Sequence, residues 1–384
     1  MEVNKKTDRV FVWGFVSILF ALSLLFFVLP VQVFSDVENR TLQKAPKLTW
    51  DNLWSKTFSD ESESYVTDHF PFRNGWVATK SLLEQLRLQQ ENNGIYKGSD
   101  GYLFEKFNDP NYTELEEYTA AVEKFALNHL DAKISFLLAP TSIGLYPERL
   151  PWLAEAYPQT KVNSFIGEQL HSSLSFMDGF DILGAAASGT KPIYYKTDHH
   201  WTTYGAYLAY AAYAKQMGWT PAAETAFDIE TVTNSFLGSY HTRSQFSGLK
   251  PDSIQAYKAK NKLATEMYVA DTDQTYESIY DDSYLAKKDK YSYFLGGVHA
   301  LMTLHSELPA EKTDLDKLLV IKDSYAHSFL PFLTQHVKDI HVIDIRYYNG
   351  SISEYMEQNG IKDVLLLFNT TTFMTERNLL KLKY

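Results

Sequence analysis

Twenty-five consecutive residues, Val10 to Phe34, carry no charge and are dense in Val, Leu, Ile and Phe. A hydrocarbon core about 30 Å thick takes about 20 such residues at a rise of about 1.5 Å each, so this run predicts a helix that spans a bilayer. It exceeds the apolar region of a secretory signal, about 7–15 residues, and Val33, Phe34 and Ser35 do not form a small-x-small cleavage site. Lys5, Lys6 and Arg9 precede the run, while Asp36 and Glu38 follow it. The positive-inside rule therefore predicts a cytoplasmic N-terminus and an extracytoplasmic body. A cleaved signal peptide would leave the same body outside the cytoplasm. No later window is long and apolar enough to span again.

Beyond the anchor the pattern changes. Residues 35–95 read as a juxtamembrane stalk passing into helix: Ser35–Thr41 is polar, and apolar Trp76, Leu82, Leu83 and Leu86 recur at helical spacing between Trp76 and Leu88. Asn92-Asn-Gly94 signals a turn, and Ile95–Phe104, with Gly98 and Gly101, predicts a hairpin. From there helix and strand alternate. Thr113–His129 predicts a helix. Lys133–Ala139, stopped by Pro140, reads as a buried parallel strand, and Thr202–Met217, Ala- and Tyr-rich on most faces, as a buried helix. Leu318–Ile321, His341–Ile345 and Val364–Phe368 are further buried strands, with a helix after the first, broken or started by Pro331. Such alternation predicts an α/β fold with a parallel sheet. The expected organisation is a cytoplasmic tail (1–9), an anchor (10–34), a stalk and helix (35–95) and one extracytoplasmic domain (96–384). Residues 220–290 lack clear periodicity and read as an insertion or irregular subdomain.

Composition narrows the function. In 384 residues, 45% hydrophobic and 22% charged are globular values, which exclude wholesale disorder. A net charge of −11 argues against a nucleic-acid binder. Without cysteine there is no disulfide, thiolate metal site or cysteine nucleophile.

Two phrases can carry chemistry. Lys196-Thr-Asp-His-His-Trp201 precedes the buried helix, and Val320-Ile-Lys-Asp-Ser-Tyr325 runs from a strand into a turn. Functional groups of α/β sheets gather at the carboxyl ends of the strands. A serine there needs a base to take its proton, and Asp198 and His200, with one residue between them, can supply an oriented imidazole facing Ser324. Other readings stay open. Asp323 with Ser324, and likewise Asp198, can be helix N-caps. Asp198, His199 and His200 could ligate a metal, but adjacent residues usually point apart and no His-x₃-His pair supports zinc; neither a metal nor a cofactor is expected. His327 is a competing base, although a helix there would favour surface or packing.

Asp198-His-His-Trp201 together with Lys322-Asp-Ser324 resembles the DHHW family, related to the SGNH-hydrolase-like alginate O-acetylation proteins. Further phrases look alike in the same order: Ser35–Arg40, Asp68-His-Phe-Pro-Phe-Arg73, Gly98–Leu103, Phe236-Leu-Gly-Ser239 and Ile343–Tyr348. The resemblance implies an SGNH-hydrolase-like (flavodoxin-like) parallel sheet with helices on both faces, Ser324 as nucleophile, His200 as general base and Asp198 as orienting carboxylate. His199, Trp201, Asp323, Tyr325 and Arg346 would bind substrate or shape the site. It further implies O-acetylation of a cell-surface polysaccharide beside a multi-pass membrane O-acyltransferase. A carbohydrate esterase with the same triad, or a non-catalytic glycan-binding scaffold, are the alternatives. Two positions depart from the pattern: Lys322 stands where glycine is usual, and Val298 where asparagine often supplies an oxyanion donor. Backbone amides of Ser324 and of the Gly238 or Gly297 loop are candidate substitutes.

Overall fold

The computed structural model describes residues 5–35, 40–170 and 174–384. Residues 1–4 of the expected tail, and Asp36 and Glu38 of the anchor's flank with the centre of the Ser35–Arg40 phrase, lie outside the described residues. The chain divides into two units, Met1–Gln89 with Gln245–Ser247, and Gln90–Ser244 with Gly248–Tyr384.

In the first unit, α1 (Lys5–Val28) contains a stretch, Arg9–Val28, with mean hydropathy 2.5, long and apolar enough to cross a membrane. Three helices follow, α2 (Trp50–Trp54), α3 (Thr57–Asp68) and α4 (Arg73–Leu86). Thr49 caps α2 by accepting from the Asn52 N–H at 3.2 Å, the usual task of a hydroxyl at that position. The Asp68–Arg73 phrase is the joint between α3 and α4.

The second unit is built on an eight-stranded sheet. In chain order its strands are β1 (Lys133–Ala139), β2 (Ser175–Asp178), β3 (Thr265–Val269), β4 (Gln274–Tyr276), β5 (Leu301–Ser306), β6 (Leu315–Lys322), β7 (Val337–Asp344) and β8 (Asp363–Asn369). The spatial order is β4-β3-β5-β7-β6-β8-β1-β2. Strands β7, β6, β8, β1 and β2 run parallel, whereas β5, β3 and β4 are antiparallel additions at one edge. The sheet is therefore mixed, a correction to the parallel sheet expected throughout. The inner parallel strands β7, β6, β8 and β1 are buried along most of their length, as strands covered on both faces are; β5 alternates buried and half-buried residues because one of its faces is less covered.

The stretch 220–290, whose periodicity the sequence left unread, holds the antiparallel hairpin Phe227–Phe236/Asp252–Ala259 as well as β3 and β4. Register shifts at Thr231/Thr233 and Thr233/Phe236 break the hairpin's alternation, which explains the missing period-2 signal. The helix Tyr112–Asn128, capped by Asn111, buries Leu115, Tyr118, Ala121, Val122 and Phe125. Each large member of that stripe contributes about 1.5–3 kcal/mol at most. The helix Thr203–Met217 starts at a Thr202 cap and stops at Gly218, whose φ of 83° needs no Cβ. Asp198 does not cap this helix.

Candidate active site

Strand β6 buries Leu318 to Lys322 completely and then ends. Its register sets Lys322 beside Asp344 of β7 and Leu367 of β8. Asp323 is extended, and its Oδ1 accepts the Tyr325 N–H at 2.8 Å, opening a 3-10 turn over Ser324–Ser328. It thus acts as the N-cap that was one of its readings. Its Oδ2 accepts both the backbone N–H and the side-chain amide of Asn369, at 2.7 Å each, so one carboxylate ties together the ends of β6 and β8. Burial pushes the Asp323 carboxyl up, and these donors oppose the shift. Ser324 stands half-exposed at the carboxyl end of the sheet.

The other half of the site comes from a tight loop. Tyr194 and Trp201 form an antiparallel bridge, and Asp252 holds the turn between them. Its carboxylate accepts from Lys196 N at 3.0 Å, Thr197 N at 2.9 Å and Thr197 Oγ1 at 2.6 Å. The loop is thereby closed around Asp198 and His200, 3% and 5% exposed.

Asp198, His200 and Ser324 form one hydrogen-bonded line. His200 Nδ1 lies 2.6 Å from Asp198 Oδ1, and His200 Nε2 lies 2.7 Å from Ser324 Oγ. With a carboxylate on one nitrogen, the tautomer carries its hydrogen on Nδ1 and leaves Nε2 to accept from the serine. Asp198 Oδ1 also accepts the His200 N–H at 3.0 Å, and Oδ2 accepts the Ser239 N–H at 2.7 Å. Burial works against the charge on Asp198. The His199 and His200 rings and these donors outweigh it and hold the carboxyl well below the usual carboxylate range. A carboxylate permanently charged at neutral pH, an imidazole in a set tautomer and a half-exposed hydroxyl can together activate an oxygen nucleophile.

The expected neighbours take different places. His199 does not point away from His200; the two rings lie 3.7 Å apart, with His199 Nδ1 2.6 Å from Ser239 Oγ. Burial lowers its pKa to about 4, the His200 ring adding to the effect, so it is neutral at pH 7. Trp201 Nε1 donates to Tyr325 O at 3.0 Å and Ser328 Oγ at 3.1 Å, pinning the serine turn to the histidine loop. The Tyr325 hydroxyl donates to His199 O. Arg346 is one step removed: its Nε and Nη2 grip Asp344 at 2.8 and 2.6 Å. Asp344 also binds Lys322 Nζ at 2.7 Å, and Lys322 donates to His327 Nε2 at 2.7 Å. His327 is therefore neither on the surface nor a base for Ser324. It is buried, and burial together with the Lys322 charge keeps its pKa well below the ordinary value. The departure at Lys322 is filled by a buried ion-pair cluster beneath the serine turn.

Both glycine amides considered as oxyanion donors are engaged. Gly238 N–H donates to Thr197 Oγ1 at 3.1 Å and Gly297 N–H to Phe294 O at 3.4 Å. Ser324 opens its turn, where a backbone N–H has no partner within the turn itself. The set Asp198, His199 and His200 has the proximity of a metal site, yet Asp198 and His200 direct their ligand atoms into the hydrogen bonds just described.

Sequence reasoning missed Tyr291, whose ring stacks on His200 at 3.7 Å and 13° and whose hydroxyl meets Ser328 Oγ at 3.0 Å. Nothing near it in sequence signals this. The Gly238 loop, expected as a source of an oxyanion donor, serves Asp198 instead: a Cβ on Gly238 would overlap Asp198 Cβ, Cγ and Oδ2, so only glycine lets that loop close over the carboxylate.

A family model described as "DHHW protein" matches residues 182–343, a stretch holding both Asp198–Trp201 and Lys322–Ser324. In fold the chain is similar to a DHHW family protein from Eubacterium siraeum DSM 15702, with TM-score 0.66 and 23% identity over 76% of this chain and 96% of that one. It is also similar to Bacillus cereus PatB1, solved with a sulfonyl adduct, with TM-score 0.63 and 18% identity over 76% and 98% of the two chains. A lower likeness, TM-score 0.46 at 14% identity over 76% and 98%, is to the O-acetyltransferase domain of Pseudomonas putida AlgJ. No curated protein matches the chain. The resemblance to the DHHW family stands on the family match and on the fold shared with the first of these structures.

Proposed function

We propose that the protein is a membrane-anchored, extracytoplasmic O-acetyltransferase that modifies a cell-surface polysaccharide through an acyl-serine. The observation that carries this reading is the unbroken line from Asp198 through His200 to Ser324, with 2.6 and 2.7 Å between its members. In the first half-reaction Ser324 Oγ attacks the carbonyl carbon of an acyl donor while its proton passes to His200 Nε2. The collapsing adduct expels the donor's leaving group, which takes that proton, and the acetyl remains on Ser324. In the second, a sugar hydroxyl gives its proton to Nε2 and attacks the ester carbonyl; collapse of the adduct breaks the bond from the acyl carbon to Ser324 Oγ, Nε2 returns the proton to Oγ, and the acetyl leaves on the sugar. Asp198 stays ionised throughout and steadies the imidazolium. The Ser324 N–H serves the developing oxyanion. The covalent stage divides one transfer into two easier steps.

The fold shared with PatB1, captured with a sulfonyl adduct, supports reactivity toward electrophiles. The apolar stretch Arg9–Val28 supports an anchor, Lys5, Lys6 and Arg9 at its start support a cytoplasmic N-terminus, and a multi-pass membrane acyltransferase is the proposed supplier of acyl groups. Esterase action is the same chemistry with water as acceptor. The test uses the full chain in detergent micelles with an activated acetyl ester, with and without glycan oligomers, beside Ser324→Ala. Serine-dependent acetylation of the glycan upholds the transferase. Serine-dependent acetate release that no glycan diverts makes it an esterase. Activity or fluorophosphonate labelling unchanged in Ser324→Ala refutes the triad.

A further inference from the structure

Helix α4 is amphipathic and inside out. At about 100° per residue, Trp76, Leu82, Leu83 and Leu86 fall within an arc of about 120°, and all four face solvent, at 53%, 48%, 55% and 71% exposure. The face turned inward is the polar one: Ser81 is buried, and Arg73, Val77, Glu84 and Gln85 are half-buried. Burial of apolar surface drives helix packing in water, so this orientation is the reverse of a helix seated on a soluble core. Lys80 and Arg87 border the apolar arc on one side. Just upstream, α2 adds Trp50 and Trp54, 77% and 83% exposed.

The surroundings identify what covers this face. Tyr65 of α3 packs edge-on against Phe26 of α1, with ring centroids 6.1 Å apart, and His69 Nε2 bonds Gln32 O at 3.0 Å. Phe26 lies two residues before the end of the apolar stretch. The joint between α3 and α4 thus sits at the end of α1's apolar stretch, and a cavity of about 520 Å³ lies between them, lined on its apolar side by Phe26, Leu29, Pro30, Phe70 and Phe72 and on its polar side by Asp68, His69, Arg73 and Asn74. Tryptophan, an apolar stripe and a basic border are the composition of a helix lying in a lipid interface.

We infer that α4, helped by α2, lies in the outer leaflet of the membrane that α1 spans, with Trp76, Leu82, Leu83 and Leu86 among the acyl chains and Lys80 and Arg87 at the headgroups. The surface ties the anchor to a second line of lipid contact and limits how freely the stalk swings. This inference rests on the anchoring reading above.

The chain contains no cysteine, so single labels are clean. The full chain is reconstituted into vesicles of phosphatidylcholine and phosphatidylglycerol with an environment-sensitive fluorophore on Leu83→Cys or Leu86→Cys. Leu19→Cys reports the membrane helix and Asp228→Cys water. Interfacial seating predicts a blue shift at 83 and 86 and quenching by lipids spin-labelled near the headgroup, with quenching at 19 strongest from deeper labels and none at 228. Quenching at 19 with aqueous behaviour at 83 and 86 overturns the inference while leaving the anchor intact. So does shielding of 83 and 86 from both lipid-borne and aqueous quenchers, which would mean protein covers them. Aqueous behaviour at 19 as well removes the anchor, and the inference with it.

Discussion

Lys322, two residues before Ser324, places its Nζ 2.7 Å from Asp344 Oδ2, and both side chains are fully buried. The β6/β7 register sets these residues side by side, so the pair fastens the strand ends from which the serine turn departs. Removing one member leaves a buried charge short of a partner. Lys322→Met should cost about 3 kcal/mol, with Arg346 still gripping Asp344 and limiting the loss. Denaturant unfolding checks this, and adding Asp344→Leu to the variant should cost less than the two single changes summed.

Tyr291 keeps the imidazole in place by stacking, at 3.7 Å from His200. Tyr291→Phe retains the ring and loses the hydroxyl's contacts with Ser328 Oγ at 3.0 Å and Ser324 O at 3.3 Å, a cost of about 1–2 kcal/mol and on the order of tenfold in rate. Tyr291→Ala frees the base to tilt, and misplacement on the order of 1 Å costs roughly 10²-fold in kcat. Steady-state kinetics of the two variants separate stacking from hydrogen bonding; equal losses would speak against the stack.

Gly238→Ala places a methyl against Asp198. The carboxylate must shift, and kcat should fall on the order of 10²-fold while the far-ultraviolet circular dichroism is unchanged. Gly184→Ala, with nothing within 4 Å of the added Cβ, is the matched control and should retain full activity.

Acid should weaken the fold before it reaches the carboxylates. His199 and His241 have folded-state pKa values lowered to about 4 by burial, from 6.5, and buried His327 is shifted in the same direction. Between those values the unfolded chain binds more protons than the folded one, so stability is full above pH 6.5 and falls as pH drops toward 4. Asp198 adds its own loss only below about 3.8, its ordinary value. Melting temperatures at pH 7, 6 and 5 should decline steadily, and His199→Gln should flatten the slope. An unchanged melting temperature over that range would show that these imidazoles are not held neutral.

How much of this was legible depends on where the information resides. Lys133–Ala139 is a strand with the expected ends because a largely apolar run meets Pro140. Leu318–Ile321 extends to Leu315–Lys322 because pairing with β7 recruits its less apolar start. Ser175–Asp178 went unread: it is a four-residue edge strand with an acidic end. The antiparallel edge of the sheet was invisible because strand direction is set by pairing partners distant in sequence, not by local pattern. At the site, Asp198, His200 and Ser324 were found through short phrases and resemblance. Tyr291 and Asp252 reach the site only through tertiary packing, and so do Asp344 and His327, the partners that account for Lys322 at a position where glycine is usual.

Ser324 is the proposed carrier of the acyl group. Intact-protein mass spectrometry of the full chain, quenched in acid during turnover of an activated acetyl ester, tests it most directly. The expected result is one added acetyl, mapped by peptide fragmentation to Ser324, abolished in Ser324→Ala and slow to form in His200→Ala. An acetyl found elsewhere, or turnover undiminished in Ser324→Ala, would contradict it.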